Sequence, residues 1–402
     1  MTASHFRSVP LGDLLEASPR NGYSPVCPDA PTGKWVFGLS ALDGSGLDIA
    51  GVKPAPLDES NVDKFIVRPG DFLISRSNTL EKVGRVGVFR GGVDNCSFPD
   101  LMMQFRPDIK KVNADYLETY LKSDSVIKFI RQHATGTSGS MKKINQHTVE
   151  TIPVLLPPIN EQAPIAALLG AWYQGIGKTE SIVAAKTRML AAITHQLLTA
   201  RRRLNGFTVD WQYIRADRIF DNVSIKGTAN ETLLSVTQDR GVIPRDMLNG
   251  RVTMPSSGTD GFKLVEVGNF VISLRSFQGG LEHSAYRGLV SPAYTVLAAR
   301  TKIDAQYFRH YFRSVDFIKR LSVAVIGIRD GKQVSFEDFC SIKLPFPSLE
   351  EQRAIAKVLD TAEREIELLR EQLATLNHQK RGLMQKLLTG QWRIKTPSTE
   401  AA

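Results

Sequence analysis

Pro347-Ser348-Leu349-Glu350-Glu351-Gln352 opens a stretch in which Ile355, Leu359, Ala362, Ile366, Leu369, Leu373, Leu376, Leu383 and Leu387 follow one another in alternating steps of three and four, interrupted only at Lys380. That spacing draws a narrow apolar edge along a helix. It is the seam of a coiled coil rather than the wider stripe of an ordinary surface helix. The spacing of Ser348 and Glu351 predicts a capping box, the serine hydroxyl accepting from a first-turn N–H while Glu351 reaches back.

The same stretch occurs earlier in the chain. Subtracting the position of Glu161-Gln162 from Glu351-Gln352, or of Leu197-Leu198-Thr199 from Leu387-Leu388-Thr389, gives 190 both times. Pro157/Pro347, Ile165/Ile355, Ala166/Ala356, Leu169/Leu359, Ile176/Ile366 and Ala184/Ala374 keep that offset without a gap. A period this long is no solenoid repeat, so a whole module is duplicated. The earlier seam runs Ile165, Leu169, Trp172, Ile176, Val183, Leu190, Ile193 and Leu197, with Thr179 and Lys186 as exceptions. It is the poorer helix. Pro158 replaces the capping serine, Pro164 lies near the first turn, and Gly175 and Gly177 each cost roughly 1 kcal/mol relative to alanine, which predicts a bend or loose turn there. At about 1.5 Å per residue the stretch from Glu161 to Thr199 is about 58 Å long, the length of a spacer.

Between the helices lie segments rich in Gly, Pro and short β-branched runs such as Phe72-Leu73-Ile74 and Val86-Gly87-Val88-Phe89. These read as mixed α/β, with a helix expected at 114–121. They are weakly related to each other: Gly70-Asp71-Phe72-Leu73-Ile74-Ser75 matches Gly268-Asn269-Phe270-Val271-Ile272-Ser273, and Ala114-Asp115-Tyr116-Leu117 matches Ala305-Gln306-Tyr307-Phe308. Around these anchors almost everything differs. The predicted order is a globular domain at 1–155, a spacer helix at 156–203, a second globular domain at 204–345, a second spacer helix at 346–392 and a polar tail at 393–402. Compact domains hold their ends close together, so the two helices should run antiparallel, with a globular domain at each end and an approximate two-fold between the halves. The fold class expected is α+β, two α/β domains separated by two long antiparallel coiled-coil helices.

The 402 residues suit two to three domains, and 42% hydrophobic with 23% charged residues is ordinary for a globular protein. The first residues lack an apolar leader segment, and no apolar run reaches the roughly 18 residues a membrane span needs. A soluble, cytoplasmic protein is the expectation. Cys27, Cys96 and Cys340 are odd in number and far apart, which suggests reduced, structural thiols rather than a disulfide framework or a metal site. A net charge of +10 favours polyanionic partners, nucleic acid first. Basic residues gather in Arg201-Arg202-Arg203, Lys110-Lys111 and Lys142-Lys143.

Catalytic signatures are missing. Gly175-Ile176-Gly177-Lys178-Thr179 looks like part of a phosphate loop, but Trp172 stands where its first glycine is required and the stretch lies within the seam. Neither HExxH nor GxSxG occurs, nor a strand-GxGxxG-helix unit. Leu156-Pro157-Pro158-Ile159 lacks the polar residue and the aromatic of an amino-methyltransferase motif. The seven histidines are scattered, so no metal site is expected.

The doubled order of variable domain and helix resembles the specificity (S) subunit of type I restriction-modification systems. Leu155-Leu156-Pro157-Pro158-Ile159-Asn160-Glu161-Gln162 and Leu344-Pro345-Phe346-Pro347-Ser348-Leu349-Glu350-Glu351-Gln352, each followed by a helix closing on Leu-Leu-Thr, carry the likeness across essentially the whole chain. Gly70-Asp71 and the loop Thr135-Gly136-Thr137-Ser138-Gly139 resemble that family's target recognition domains. The resemblance implies a chain without an active site, each variable domain reading one half of a split sequence in double-stranded DNA. The paired helices would hold the spacing and dock methylation (M) subunits that bring S-adenosylmethionine and adenine N6 chemistry, with a motor-nuclease (R) subunit joining for cleavage; no cofactor belongs to this chain. Two unlike readers on a spacer imply an asymmetric target, whereas identical readers would require a palindrome.

Polar and basic residues in Gly/Ser-rich loops are the candidates for DNA contact: Ser75, Arg76, Ser77, Asn78, Thr137, Ser138, Lys142 and Lys143 in the first domain, and Arg275, Ser276, Gln278, Arg329, Lys332 and Gln333 in the second. Arg pairs bidentately with guanine, Asn or Gln with adenine, and Lys more often meets phosphate. Two other classes fit the same sequence less fully: a coiled-coil adaptor that binds only proteins, and a self-contained nuclease or methyltransferase.

Overall fold

A computed structural model describes residues 6–136, 141–226, 230–248, 258–259, 261–274, 276–324 and 334–394. The chain forms two compact units, Met1–Ser181 with Glu371–Ala402, and Ile182–Arg370. Two helices of 40 residues, Ile159–Leu198 and Leu349–Leu388, carry the chain from one unit into the other and back. Among the described residues no helix is long and apolar enough to cross a membrane.

The seam residues are buried or half-buried along both helices, and the positions between them are mostly exposed. In the first unit Ile165, Ala166 and Leu169, near the start of the first helix, share a core with Met384, Leu387 and Leu388, near the end of the second. In the second unit Leu197 and Leu198 share a core with Ile355, Ala356 and Leu359, and Lys186 pairs with Glu365 at 2.8 Å. In each unit the start of one helix meets the end of the other, so the helices are antiparallel. Lys380 interrupts the seam at little cost because its ammonium lies 4.1 Å from the centre of the Tyr173 ring. The loose turn expected at Gly175 and Gly177 is not seen. The helix is unbroken there, and the two glycine carbonyls accept the hydroxyls of Thr179 and Ser181 at 2.9 Å each.

The globular parts repeat one design. In the first unit the strands Arg20–Asn21, Met102–Phe105, Phe72–Ser75 and Val86–Val88 lie side by side in that order, and in the second Phe220–Val223, Thr295–Ala299, Phe270–Ile272 and Glu282–His283 do the same, all antiparallel. A separate pair ties the entry of each domain to its exit: Arg7–Pro10 with Pro153–Leu156, and Gln212–Arg215 with Lys343–Phe346. The helices Ala114–Leu121 and Ala305–Phe312 are capped alike, Asn113 accepting from Tyr116 N at 3.0 Å and Asp304 from Tyr307 N at 2.9 Å. The Gly-Asp and Gly-Asn anchors turn out to be turn residues. Gly70 and Gly268 take φ of +93° and +89°, a region glycine enters without penalty; Asp71 accepts from Arg68 N at 2.7 Å and Asn269 from Glu266 N at 2.9 Å.

Strand alternation divides each sheet into two faces. Phe72 and Ile74 point into the core shared with the long helices, as do Phe270 and Ile272, while Leu73 and Val271 point the other way. On that far side the domains diverge: Phe37, Phe89 and Phe98 join Leu73 and Met102 of the first sheet, and Leu234, Val242, Val265 and Val290 join Val271 and Val296 of the second. The helix-facing side is therefore the common scaffold. The far side is where the two domains became different.

Candidate DNA interface

The doubled Glu-Gln motif has a structural task. Gln162 donates to the Pro157 carbonyl at 3.1 Å and accepts from Asn113 N at 2.7 Å; Gln352 donates to the Pro347 carbonyl at 3.0 Å and accepts from Asp304 N at 2.9 Å. Each glutamine thus fixes the loop before its domain's capped helix to the start of a long helix. The expected capping box is only half formed. Ser348 Oγ accepts from Glu351 N at 3.2 Å, but the Glu351 carboxylate turns away to hold the Arg203 guanidinium at 2.6 and 2.7 Å and Trp211 Nε1 at 2.9 Å. Glu161 holds Arg393 in the same way. Arg203 and Arg393 keep the 190-residue offset, a signal the sequence contained. So Arg203 of the basic triplet is an internal ion-pair partner and is not available to DNA.

In the first unit several predicted residues meet on one small ribbon. Ser77–Asn78 pairs with Lys142–Lys143, Asn78 opposite Lys142 and Ser77 opposite Lys143. Thr135 and Lys143 exchange two backbone bonds of 2.9 Å, and Ile144 N donates to the Arg76 carbonyl at 3.0 Å. Arg76, Asn78 and Lys142 are half-buried and Lys143 is exposed. Arg76 Nη1 and Lys142 Nζ rest on carbonyls, of Asp100 at 3.1 Å and of Gly136 at 2.5 Å. Among the described residues no carboxylate forms a salt bridge to Arg76, Lys142 or Lys143. Their positive charge is left for a partner.

Other predicted residues are placed differently. Ser75, the last residue of the central strand, and Ser77, the first of the ribbon, are buried, at 0% and 3% exposure; Ser276 is buried at 1%, its Oγ accepting from Ser273 N at 2.8 Å. These three hydroxyls are inward-facing and offer nothing to a groove in this conformation. Gln278 is exposed on the short helix Ser276–Gly279. Thr137, Ser138, Arg275, Arg329, Lys332 and Gln333 lie outside the described residues.

One group that sequence reasoning missed is Glu282. It is 2% exposed, neither carboxylate oxygen has a hydrogen bond among the described residues, and it lines a cavity of about 670 Å³ with Val236, Gln238, Asp239, Leu274 and Tyr294. Burial pushes its carboxyl up to about 7, with Arg313 opposing and Asp239 assisting. The folded state thus favours the protonated form, and its stability falls as pH rises from about 4.5 through about 7. The shift corresponds to about 3 kcal/mol. Glu282→Gln should match the parent near pH 4.5 and exceed it by up to about that amount above pH 7. Urea unfolding at the two pH values checks this; equal stabilities at the higher pH would contradict it.

A second cluster, His310, Asp360 and Glu363, has the donor types of a cation site. Arg309 already occupies its centre, with Nη2 at 2.7 Å from both carboxylates, and His310 Nε2 lies 2.7 Å from Asp360. The guanidinium supplies the positive charge, and the cluster ties the helix Ala305–Phe312 to the second long helix.

Comparison with known proteins follows this architecture. Residues 5–183 and again 209–378 match the family described as type I restriction modification DNA specificity domain. The chain is 25% identical to the putative type I restriction enzyme MjaX specificity subunit of Methanocaldococcus jannaschii, over 96% of this chain and 93% of that one. Its fold is similar to that of the S subunit of a type I restriction-modification system from M. genitalium, with a TM-score of 0.59, 14% identity and 98% of each chain covered. It is also similar to a chain from a structure addressing complex assembly and conformational transition of the type I R-M system, with a TM-score of 0.56, 16% identity, and 95% of this chain and 97% of that chain covered.

Proposed function

Since the chain belongs to the type I restriction-modification DNA specificity family, we propose that it is the sequence-reading subunit of such a complex, each variable domain contacting one half of an asymmetric, split target in double-stranded DNA. The observation that carries this reading is the duplicated scaffold with unlike far faces, the aromatic cover over one sheet and the valine-rich cover over the other. The long antiparallel helices then set the interval between half-sites and present docking surfaces for methylation subunits. Those subunits bring S-adenosylmethionine and the adenine chemistry, a motor-nuclease subunit brings cleavage, and this chain contributes recognition alone, in the cytoplasm where the DNA is.

The ribbon of Arg76, Asn78, Lys142 and Lys143 is assigned to the first half-site. Lysines at phosphates contribute to all sequences equally, through counterion release of about 0.9 in slope per contact. Lys142→Ala combined with Lys143→Ala should therefore weaken specific and non-specific binding together and flatten the dependence of log K on log salt by about 2. Arg76→Ala should instead relax one half-site. Binding titrations at several salt concentrations test both the assignment and the function: DNA affinity of the full chain that is indifferent to salt and sequence would favour a protein-binding adaptor.

A further inference from the structure

Glu282 pairs with Val271, whose side chain lies on the far face of the second sheet. By strand register Glu282 lies opposite Val271, as Gly87 lies opposite Leu73 in the first domain. In the first domain that place is closed. A Cβ on Gly87 would meet Leu47 N at 2.5 Å, because the turn at Gly46-Leu47 packs directly on the strand. In the second domain the place is open, and the cavity's wall includes Ser273 and Leu274, the counterparts of Ser75 and Arg76 in the anchor Gly268–Ser273. The cavity thus sits at the same end of the sheet as the ribbon assigned to the first half-site.

The carboxylate has no settled partner there. Arg313 approaches only to 3.9 Å, and its Nη2 is turned to the carbonyls of Gln238 and Asp239. A buried acceptor with neither oxygen bonded calls for a donor that arrives in the working state. Val236, Leu274 and Tyr294 make part of the cavity wall apolar, beside the polar Thr237, Gln238 and Ser273, a mixture that suits the edge of a base.

We propose that Glu282 is a specificity-determining residue of the second domain, its carboxylate accepting a hydrogen bond from the exocyclic amino group of a base in the second half-site. This rests on the function proposed above. Cytosine N4 and adenine N6 are the donors of that class. The two readers then differ in chemistry: the first domain presents donors on its ribbon, and the second presents an acceptor at the same end of its own sheet.

The test compares the wild-type chain and Glu282→Gln, each assembled with the methylation subunits, on a library randomised in both half-sites. The substitution is isosteric and replaces a buried carboxyl whose salt-bridge contact, with Arg313, is a long 3.9 Å, so folding is preserved. Discrimination at one position of the second half-site should fall by roughly tenfold to a hundredfold, with the first half-site unchanged. Loss of a cytosine preference identifies N4 as the donor, and loss of an adenine preference N6. A wild-type split target with an identical profile for the variant would overturn this assignment alone, whereas a wild-type complex that selects no split target would overturn the proposed function and this assignment with it.

Discussion

Glu351→Ala is expected to destabilise the second unit by about 3–5 kcal/mol, the usual cost of removing one partner of a buried ion pair. Glu351 is 2% exposed, and its loss leaves both the Arg203 guanidinium and Trp211 Nε1 without their acceptor. The equivalent Glu161→Ala should cost less, about 1–3 kcal/mol. The Arg393 side chain is 53% exposed against 22% for Arg203, so water replaces the lost carboxylate more fully. Hydrogen exchange of the strand Gln212–Arg215, measured alongside chemical unfolding, reports on the second unit directly. A loss for Glu351→Ala no larger than that for Glu161→Ala would contradict the ranking.

Phe312→Ala is expected to cost about 3–5 kcal/mol, in the range for emptying a buried aromatic site. Phe312 is 0% exposed. Its ring lies 4.8 Å from that of Phe317, 5.0 Å from Phe270, 5.5 Å from both Phe220 and Phe308, and 5.9 Å from Phe339. A cavity among rings held from so many sides cannot collapse, which puts the cost at the upper end. The first unit has Leu121 on the corresponding helix, in a core richer in aliphatic side chains, so the aromatic cluster is particular to the second unit. Thermal unfolding that differs from the parent by less than about 1 kcal/mol would show that the site repacks.

The long helices were legible because their signal is local and periodic. Apolar residues three and four apart define one edge whatever the rest of the chain does, and the offset of 190 made the second copy a check on the first. Glycine propensity misled at Gly175 and Gly177, where it predicted a loose turn but the helix continued, its carbonyls accepting from Thr179 and Ser181. Glu351 illustrates a different limit. Its position satisfied the capping-box pattern, yet Arg203 and Trp211, 148 and 140 residues away, took its carboxylate.

The candidate interface was legible in part. Lys142-Lys143 and Arg76 stood out as basic residues beside Gly/Ser-rich loops, and pairing of Ser77–Asn78 with Lys142–Lys143 brought them together. Ser75 and Ser77 were drawn in by the same composition, but both are buried, Ser75 at the end of the central strand and Ser77 at the start of the ribbon. Glu282 gave no sequence signal, since its meaning depends on an open cavity that in the first domain is filled by Gly46-Leu47. Tertiary contacts of that kind have no local signature.

The proposed function has two unlike readers acting on one duplex. Mapping every methylated adenine in DNA exposed to the assembled complex tests it most directly. Two unlike readers give two dissimilar half-sites separated by an unread gap of constant length; a single contiguous motif, a palindrome or a gap of variable length would overturn the proposed function.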